Sequence, residues 1–328
     1  MSNLDNDFDA LVLGAGGRGL AAALRLRAAA AASTAVPPRL LVVDAAPAPG
    51  GSIRTQRTNG YVCELGPFAF AAADLAPLLA MLPQAPSPLP CLPAARAGWL
   101  RTPAGNLPAP VDPEPLTFRT GNEELPQACR RALGPALRLG RPVTAIAPAA
   151  AGGGFRVLLG GEVPTELTAR SVHVALPAAV AGALLGGCDP ALPATANRIT
   201  ASPAAFAFLG GDTRPADASF GSGILAADDL PGPVREAIAC SQVFPGRAQP
   251  GRCLWRVELA GPEAADADDE ALLALAERAL AEWTGVSSAF GLRKLHRFAA
   301  PVADGALVET AARLRELGRR VPGLVVHL

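Results

Sequence analysis

Apolar positions along the chain fall into distinct patterns, and each predicts a different element. The short unbroken runs "ALVLG" from Ala10 and "RLLVVD" ending at Asp44 read as strands buried on both faces, the kind that fill a parallel sheet. Between them "LAAALRLRAAAAA" after Gly19 is built from strong helix formers, so the opening reads strand, helix, strand. "VHVALPAAVAGALLGG" (172–187) is broken by Pro177 and ends in glycines. It reads as strand, turn and helix, and falls short of the roughly 20 residues of a membrane helix. "DADDEALLALAERALAEWTG" is an amphipathic helix with acidic residues in its first turn, apolar positions at Leu272, Leu275, Leu280 and Trp283, and Gly285 near its end. A second such helix is expected over 308–323, stopped by Gly318 and Pro322. The proline-rich 82–115 region reads as an irregular crossing between domains.

Composition sharpens this only in part. A length of 328 residues allows two domains at roughly 150 residues each. Half the residues are apolar, and 29 basic side chains balance 29 acidic ones, so nucleic acid is not an expected partner. Lys294 is the only lysine, an arginine skew that says little about function. The six cysteines (Cys63, Cys91, Cys129, Cys188, Cys240 and Cys253) show neither CxxC spacing nor a histidine cluster. No metal site is therefore expected, and free thiols in a reducing cytoplasm are the simple reading. The N-terminus "MSNLDNDFDA" is polar and acidic, unlike a signal peptide. A cytoplasmic protein without a transmembrane segment is expected, with peripheral membrane contact left open.

Chemistry enters with "LVLGAGGRGL", in which Gly14, Gly16 and Gly19 stand in GxGxxG register between the first strand and the helix. The first glycine allows the tight turn, the second lets backbone approach a pyrophosphate, and the third lets helix and strand pack closely. The helix start then offers N–H groups and a positive dipole end to phosphate. Asp44 lies 25 residues beyond Gly19, placed to accept bonds from ribose hydroxyls. His173 and His296 read as packed or solvated histidines, and no Ser/His/Asp or Cys/His constellation is present.

After Asp44 the chain reads "AAPAPGGSIRTQRTNGYVCELGPFAF", and here it resembles the flavin-dependent amine oxidase superfamily, its protoporphyrinogen oxidase group most closely. The glycine-pair motif is carried by Gly50, Gly51, Arg54 and Thr55, and the "ELGP" segment that runs past the flavin by Glu64, Leu65, Gly66 and Pro67. "GWLRTPAGNLPAP", "FRTGNEELPQACRRAL", "RPVTAIAP" and the hairpin leading to "ALP" follow in the family's order. "FGSGILAADDL", "SQVFPGRAQPG" and "LHRFAAPV" are similar to later landmarks. The resemblance implies FAD, held by Gly14, Gly16, Gly17, Gly19, Asp44, Gly50, Gly51, Ser52, Arg54, Leu65, Gly66, Pro67 and Val143. It also implies Phe68 and Phe70 near the flavin-facing pocket. Arg101 and Arg247 are the nearest candidates for meeting an anionic substrate, because arginine suits a carboxylate bidentately.

The implied fold is α/β: a Rossmann-type FAD-binding domain interleaved with an α+β substrate domain, glutathione-reductase-like but shortened. The FAD-binding segments are expected at 1–72, 118–180 and 301–328, and the substrate segments at 73–117 and 181–300. Three departures from the family qualify this. Only "VDPEPLT" stands where the family inserts a helical roof, the sequence ends at the strand before the family's last cofactor-contacting helix, and Phe68 and Ala48 replace arginines found in some members. A homodimer or partner protein covering the missing roof is one expectation. The functional reading is an FAD-dependent oxidase that takes hydride from an apolar cyclic substrate such as a porphyrinogen. The alternatives are another amine oxidase or desaturase, or a truncated paralogue that binds without turnover.

Overall fold

The structure, a computed structural model, describes residues 6–33, 38–92, 97–110, 115–149, 153–213, 223–285 and 289–328. From the N-terminus the chain forms β1 (Asp7–Leu13), α1 (Gly17–Ser33), β2 (Leu40–Val43), the hairpin β3 (Thr55–Thr58) and β4 (Tyr61–Glu64), β5 (Phe70–Ala71) and α2 (Ala72–Leu79). Next come β6 (Pro88–Pro90), the hairpin β7 (Ala97–Thr102) and β8 (Gly105–Pro110), β9 (Pro115–Phe118), α3 (Glu124–Leu133) and β10 (Leu137–Arg138). They are followed by β11 (Val143–Pro148), β12 (Phe155–Leu159), β13 (Thr165–Val174), α4 (Ala178–Leu184), α5 (Leu192–Ala196) and β14 (Ala201–Asp212). The remainder is β15 (Gly223–Ala226), β16 (Val234–Ile238), α6 (Cys240–Val243), β17 (Arg252–Ala260), α7 (Pro262–Asp266), α8 (Asp269–Thr284), β18 (Leu292–Pro301), α9 (Gly305–Arg320) and β19 (Leu324–Val326).

Two large sheets carry the architecture. In the first, β10, β2, β1 and β13 lie side by side in parallel, and the long β13 pairs with antiparallel β12 over its first half and parallel β19 over its second. β2 and the second half of β1 bury both faces, which explains their unbroken apolar runs, while β13 alternates buried and more exposed positions. One face packs α1, α2 and α3 through Val12, Leu20, Leu24, Leu75 and Leu125, and the other packs α4, α5 and α9 through Leu11, Val172, Leu185 and Leu314. This is the Rossmann-like α/β domain. His173 and His327, at the ends of β13 and β19, stack with ring nitrogens 3.1 Å apart. Burial and the neighbouring ring push His173 down to about 4.

The second sheet runs β18-β14-β17-β16-β15-β7-β8, antiparallel except where β15 meets β7. One face buries α8 against Trp255, Val257, Leu259, Ala205, Ala207 and Ile224. Asp268 caps α8 by accepting from Ala271 N–H, and Gly285 closes it in the left-handed region at φ 70°. Two expectations are corrected. The last helix begins at Gly305, where Asp304 accepts from Leu307 N–H, and runs through Gly318, which packs against Leu324 and Val326. The 82–115 region holds β6, β7 and β8. None of the described helices is long and apolar enough to cross a membrane.

Candidate cofactor cradle and substrate face

The first glycine loop is shaped by close approach. Gly14 sits at φ 100°, and a Cβ there would lie 2.5 Å from the Ala175 carbonyl oxygen. At Gly19 a Cβ would fall 1.8 Å from the Gly14 oxygen, so only glycine lets α1 start this close to the loop. Gly16 differs, because a Cβ there would meet no protein atom within 4 Å. Its bareness serves nothing inside the protein and leaves room for a ligand at the start of α1. Leu20 N–H is bonded to Gly16 O, and the N–H groups ahead of it carry the positive end of the helix dipole.

Two further loops are zipped to the first. Gly50 N–H donates to Ala15 O at 2.7 Å, and Gly51 packs its Cα side against Gly16. Arg54 Nε donates to Gly51 O, and Leu65 N–H donates to Arg54 O. Gly66 lies so close to Ser52 that a Cβ would sit 1.9 Å from the Ser52 oxygen, which presses the 64–67 segment onto the glycine pair. Asp44 accepts Ala15 N–H at 2.6 Å and Ala46 N–H at 2.7 Å, fixing the loop and leaving about two acceptor positions for a ligand. Arg141 N–H donates to Asp44 O, which draws the start of β11, with Val143, toward the same end of the sheet. A cleft of about 810 Å³ opens beside Gly17 and Ile53, with Phe70 on its wall. An open glycine, outward N–H groups and an acidic side chain at the second strand fit the pyrophosphate and ribose of a dinucleotide.

Beyond Gly66 the backbone is held from the other sheet. Arg256 Nη1 donates to Gly66 O at 2.8 Å, and Asn122 Nδ2 donates to Pro67 O and Phe68 O at 2.8 and 3.0 Å. The Arg256 guanidinium lies between the rings of Phe68 and Phe206, 5.3 and 4.4 Å from their centroids. Arg256 therefore locates the site-facing side of the second sheet, opposite α8. Glu258, two residues along β17, shares that side and stands directly across from Glu236 on one flank and Phe206 on the other. A bulge between Val234 and Glu236 makes this arrangement possible: Val234 faces α8, yet Glu236 faces the site. Glu236 pairs with Arg256 at 3.4 Å, while Glu258 has no hydrogen bond or ion pair among the described residues. Burial raises the pKa of both carboxyls, Arg256 opposes the rise in each, and Glu258 adds to it at Glu236.

Two expected substrate contacts are corrected. Arg247 is fully buried, ion-paired to Glu64 at 3.0 Å and donating to Thr117 Oγ1 and Phe118 O. Glu64 also accepts from Thr55 Oγ1 and Asn122 N–H, so this pair holds the 64–67 segment and presents no charge to a substrate. Arg101 shares the α8 side of its strand with Trp99 and pairs with Glu282 of α8 at 3.0 Å, across the sheet from Glu236 and Glu258. Phe68 packs on Phe244 and Arg256 at the site, whereas Phe70 packs on Phe118 in the cofactor domain. Glu236, Glu258, Arg256 and Asn122 were not foreseen. The one signal for the two glutamates was an acid inside each of the apolar strands "VREAI" and "RCLWRVELA".

A family profile described as flavin containing amine oxidoreductase matches residues 91–307, and one described as an NAD(P)-binding Rossmann-like domain matches residues 12–84. A protein from Exiguobacterium sp. 255-15 assigned as a protoporphyrinogen oxidase superposes with TM-score 0.74 at 16% identity, covering 99% of this chain and 94% of its own. Putrescine oxidase, solved with putrescine bound, superposes with TM-score 0.71 at 14% identity, covering 98% of this chain and 93% of its own. Cyclohexylamine oxidase from Brevibacterium oxydans IH-35A gives TM-score 0.71 at 13% identity, covering 98% of this chain and 92% of its own. At these identities the superpositions speak for the fold.

Proposed function

The chain belongs to the flavin containing amine oxidoreductase family, with FAD as its cofactor, and from that premise we propose that it oxidises an organic amine. The observation that carries this reading is Glu258, a half-buried carboxylate with no hydrogen bond or ion pair among the described residues, beside Glu236 on the sheet face that meets Phe68. A carboxylate partly withdrawn from water without an ion pair is costly; Arg256 and Arg235 offset that only from a distance, and a substrate ammonium would supply a direct counter-charge. With Glu236 ion-paired to Arg256, Glu258 is the carboxylate of the two left without an ion pair among the described residues, and an ammonium there would provide one.

FAD, when bound, supplies a two-electron acceptor for a hydride. The residues of this chain bind and orient. Gly16, Gly17 and Asp44 would hold the dinucleotide, and the captured carbonyls of Gly66, Pro67 and Phe68 fix the wall on which substrate rests. A carboxyl with a raised pKa is also the better base, so Glu258 is suited to take the ammonium proton and leave a nitrogen lone pair. As the C–H bond beside that nitrogen breaks with loss of hydride, the lone pair becomes the second bond of a protonated imine.

A porphyrinogen, the first substrate implied by the sequence resemblance, carries carboxylates that would face Glu236 and Glu258. Arg101 and Arg247 are both committed elsewhere and would give them no counter-charge. The test is to load the protein with FAD, remove the excess, record the visible spectrum, and add amines or porphyrinogens without oxygen. Bleaching of retained flavin by an amine supports the proposal. A folded but colourless protein, or flavin reduced by porphyrinogens and by no amine, overturns it.

A further inference from the structure

The register of the second sheet places one side chain from each of its seven strands in a single transverse row. Leu107 of β8 pairs with Leu100 of β7, Leu100 with Leu225 of β15, Leu225 with Glu236, Glu236 with Glu258, Glu258 with Phe206 and Phe206 with His296. The neighbouring row, with Trp99, Ile224, Ala237, Val257, Ala207 and Leu295, packs toward α8, so the first row faces the opposite side. Its composition is divided. Phe206 and His296 lie toward the β18 edge, two carboxylates occupy the middle, and three leucines continue to the β8 edge. Leu107 is 54% and Leu225 47% exposed, although both have the apolar bulk that a sheet face ordinarily buries.

We propose that these three leucines form the tail subsite of the amine site, so that the preferred substrate is a cationic amphiphile: an amine carrying an extended aliphatic chain. This rests on the amine reading above. Register supports it, because the apolar row starts at the residue paired with Glu236. A chain leaving an ammonium at Glu258 passes Glu236, which is matched by Arg256, and then crosses apolar side chains at every further step outward. Three inter-strand steps separate Glu236 from Leu107, about 14 Å at the usual strand spacing. Chemistry supports it too, since past Glu236 the row offers no charge or hydrogen-bonding side chain to a polar tail.

The experiment is a binding series on the FAD-loaded protein, read as perturbation of flavin absorption, with n-alkylamines from propyl to dodecyl and n-alkanols of the same lengths. Each methylene along the half-open row should tighten binding about twofold, half the logarithmic gain of full burial, until the tail outruns the row. Leu107→Asp, at an exposed position, should flatten the dependence for long amines, while V163S, on an exposed residue of the other domain, should leave it intact. Amines that bind equally well at every length overturn the tail subsite and leave the amine reading standing. Alkanols that gain with length as amines do, with no advantage for nitrogen, overturn the amine reading and the cationic amphiphile with it. A protein that self-associates through this face, dimeric as isolated and monomeric as Leu107→Asp, overturns the tail subsite in favour of a second copy of the chain.

Discussion

Replacing Arg247 by methionine tests the buried pair from both directions. The guanidinium and the Glu64 carboxylate are almost wholly withdrawn from water. Removing one partner of such a pair costs about 3 to 5 kcal/mol, because the other charge is left behind. Glu64 keeps its bonds from Thr55 and Asn122, and without the arginine it can take up a proton, so the lower end, about 3 kcal/mol, is expected. Against a total stability of about 5 to 15 kcal/mol this is a large fraction. Burial raises the Glu64 pKa in the native state, so with the arginine gone the native state holds its proton to higher pH than the unfolded chain does. Arg247→Met should therefore be most stable in acid and lose stability as pH rises. The assay is urea unfolding at pH 5 and pH 8, followed by tryptophan fluorescence, with buried Trp255 and Trp283 as reporters. The double variant Glu64→Gln with Arg247→Met should recover most of the loss. A cost below about 1 kcal/mol, or a double variant no better than the single, would refute the reasoning. An unchanged stability with a raised KM would instead return Arg247 to the substrate.

Glycines 14 and 16 should separate folding from cofactor binding. Gly14→Ala is expected to destabilise by about 1 to 3 kcal/mol in thermal melts. Gly16→Ala should melt like the parent yet bind FAD about tenfold more weakly by fluorescence titration, and equal FAD affinity would sink the cradle assignment. With His173 held down to about 4, the native state binds fewer protons than the unfolded chain between that value and about 6.5. Stability should fall by about 1 to 2 kcal/mol as pH drops through that window, after discounting for partial exposure, and H173Q should remove that component. Asp304→Ala should cost about 1 kcal/mol by loss of the α9 cap, measured by chemical denaturation.

The Rossmann unit was legible because its requirements are local. Gly14, Gly16 and Gly19 mark positions where backbone must approach something, and "LVLG" and "LLVV" are too apolar to lie anywhere but mid-sheet. The substrate face was not legible, since facing depends on pairing. In "ASPAAFAFLGGD" both parities are apolar, so Phe206 and Ala207 cannot be assigned to sides until β17 and β18 are in register. The bulge before Glu236 breaks the parity that a reader would extrapolate from Val234. Arg247 misleads for a different reason. A charged residue in "FPGRAQPG" reads as surface, and its partner Glu64 lies far away in sequence, within a segment that resemblance assigns to the cofactor. Arg101 could have been placed better, because it alternates with Trp99 along one strand and so shares its face.

The period-two division of β17 has a consequence for how this protein can diversify. Trp255, Val257 and Leu259 answer to α8, while Arg256 and Glu258 answer to whatever rests on the opposite side. Selection on substrate and selection on folding thus act on alternate letters of one nine-residue word. A lineage can change Glu258 from acid to amide or aliphatic and acquire new chemistry at little cost to the α8 core, whereas Leu254 and Arg256 on the same side are tied to a buried cluster and to the Gly66 backbone.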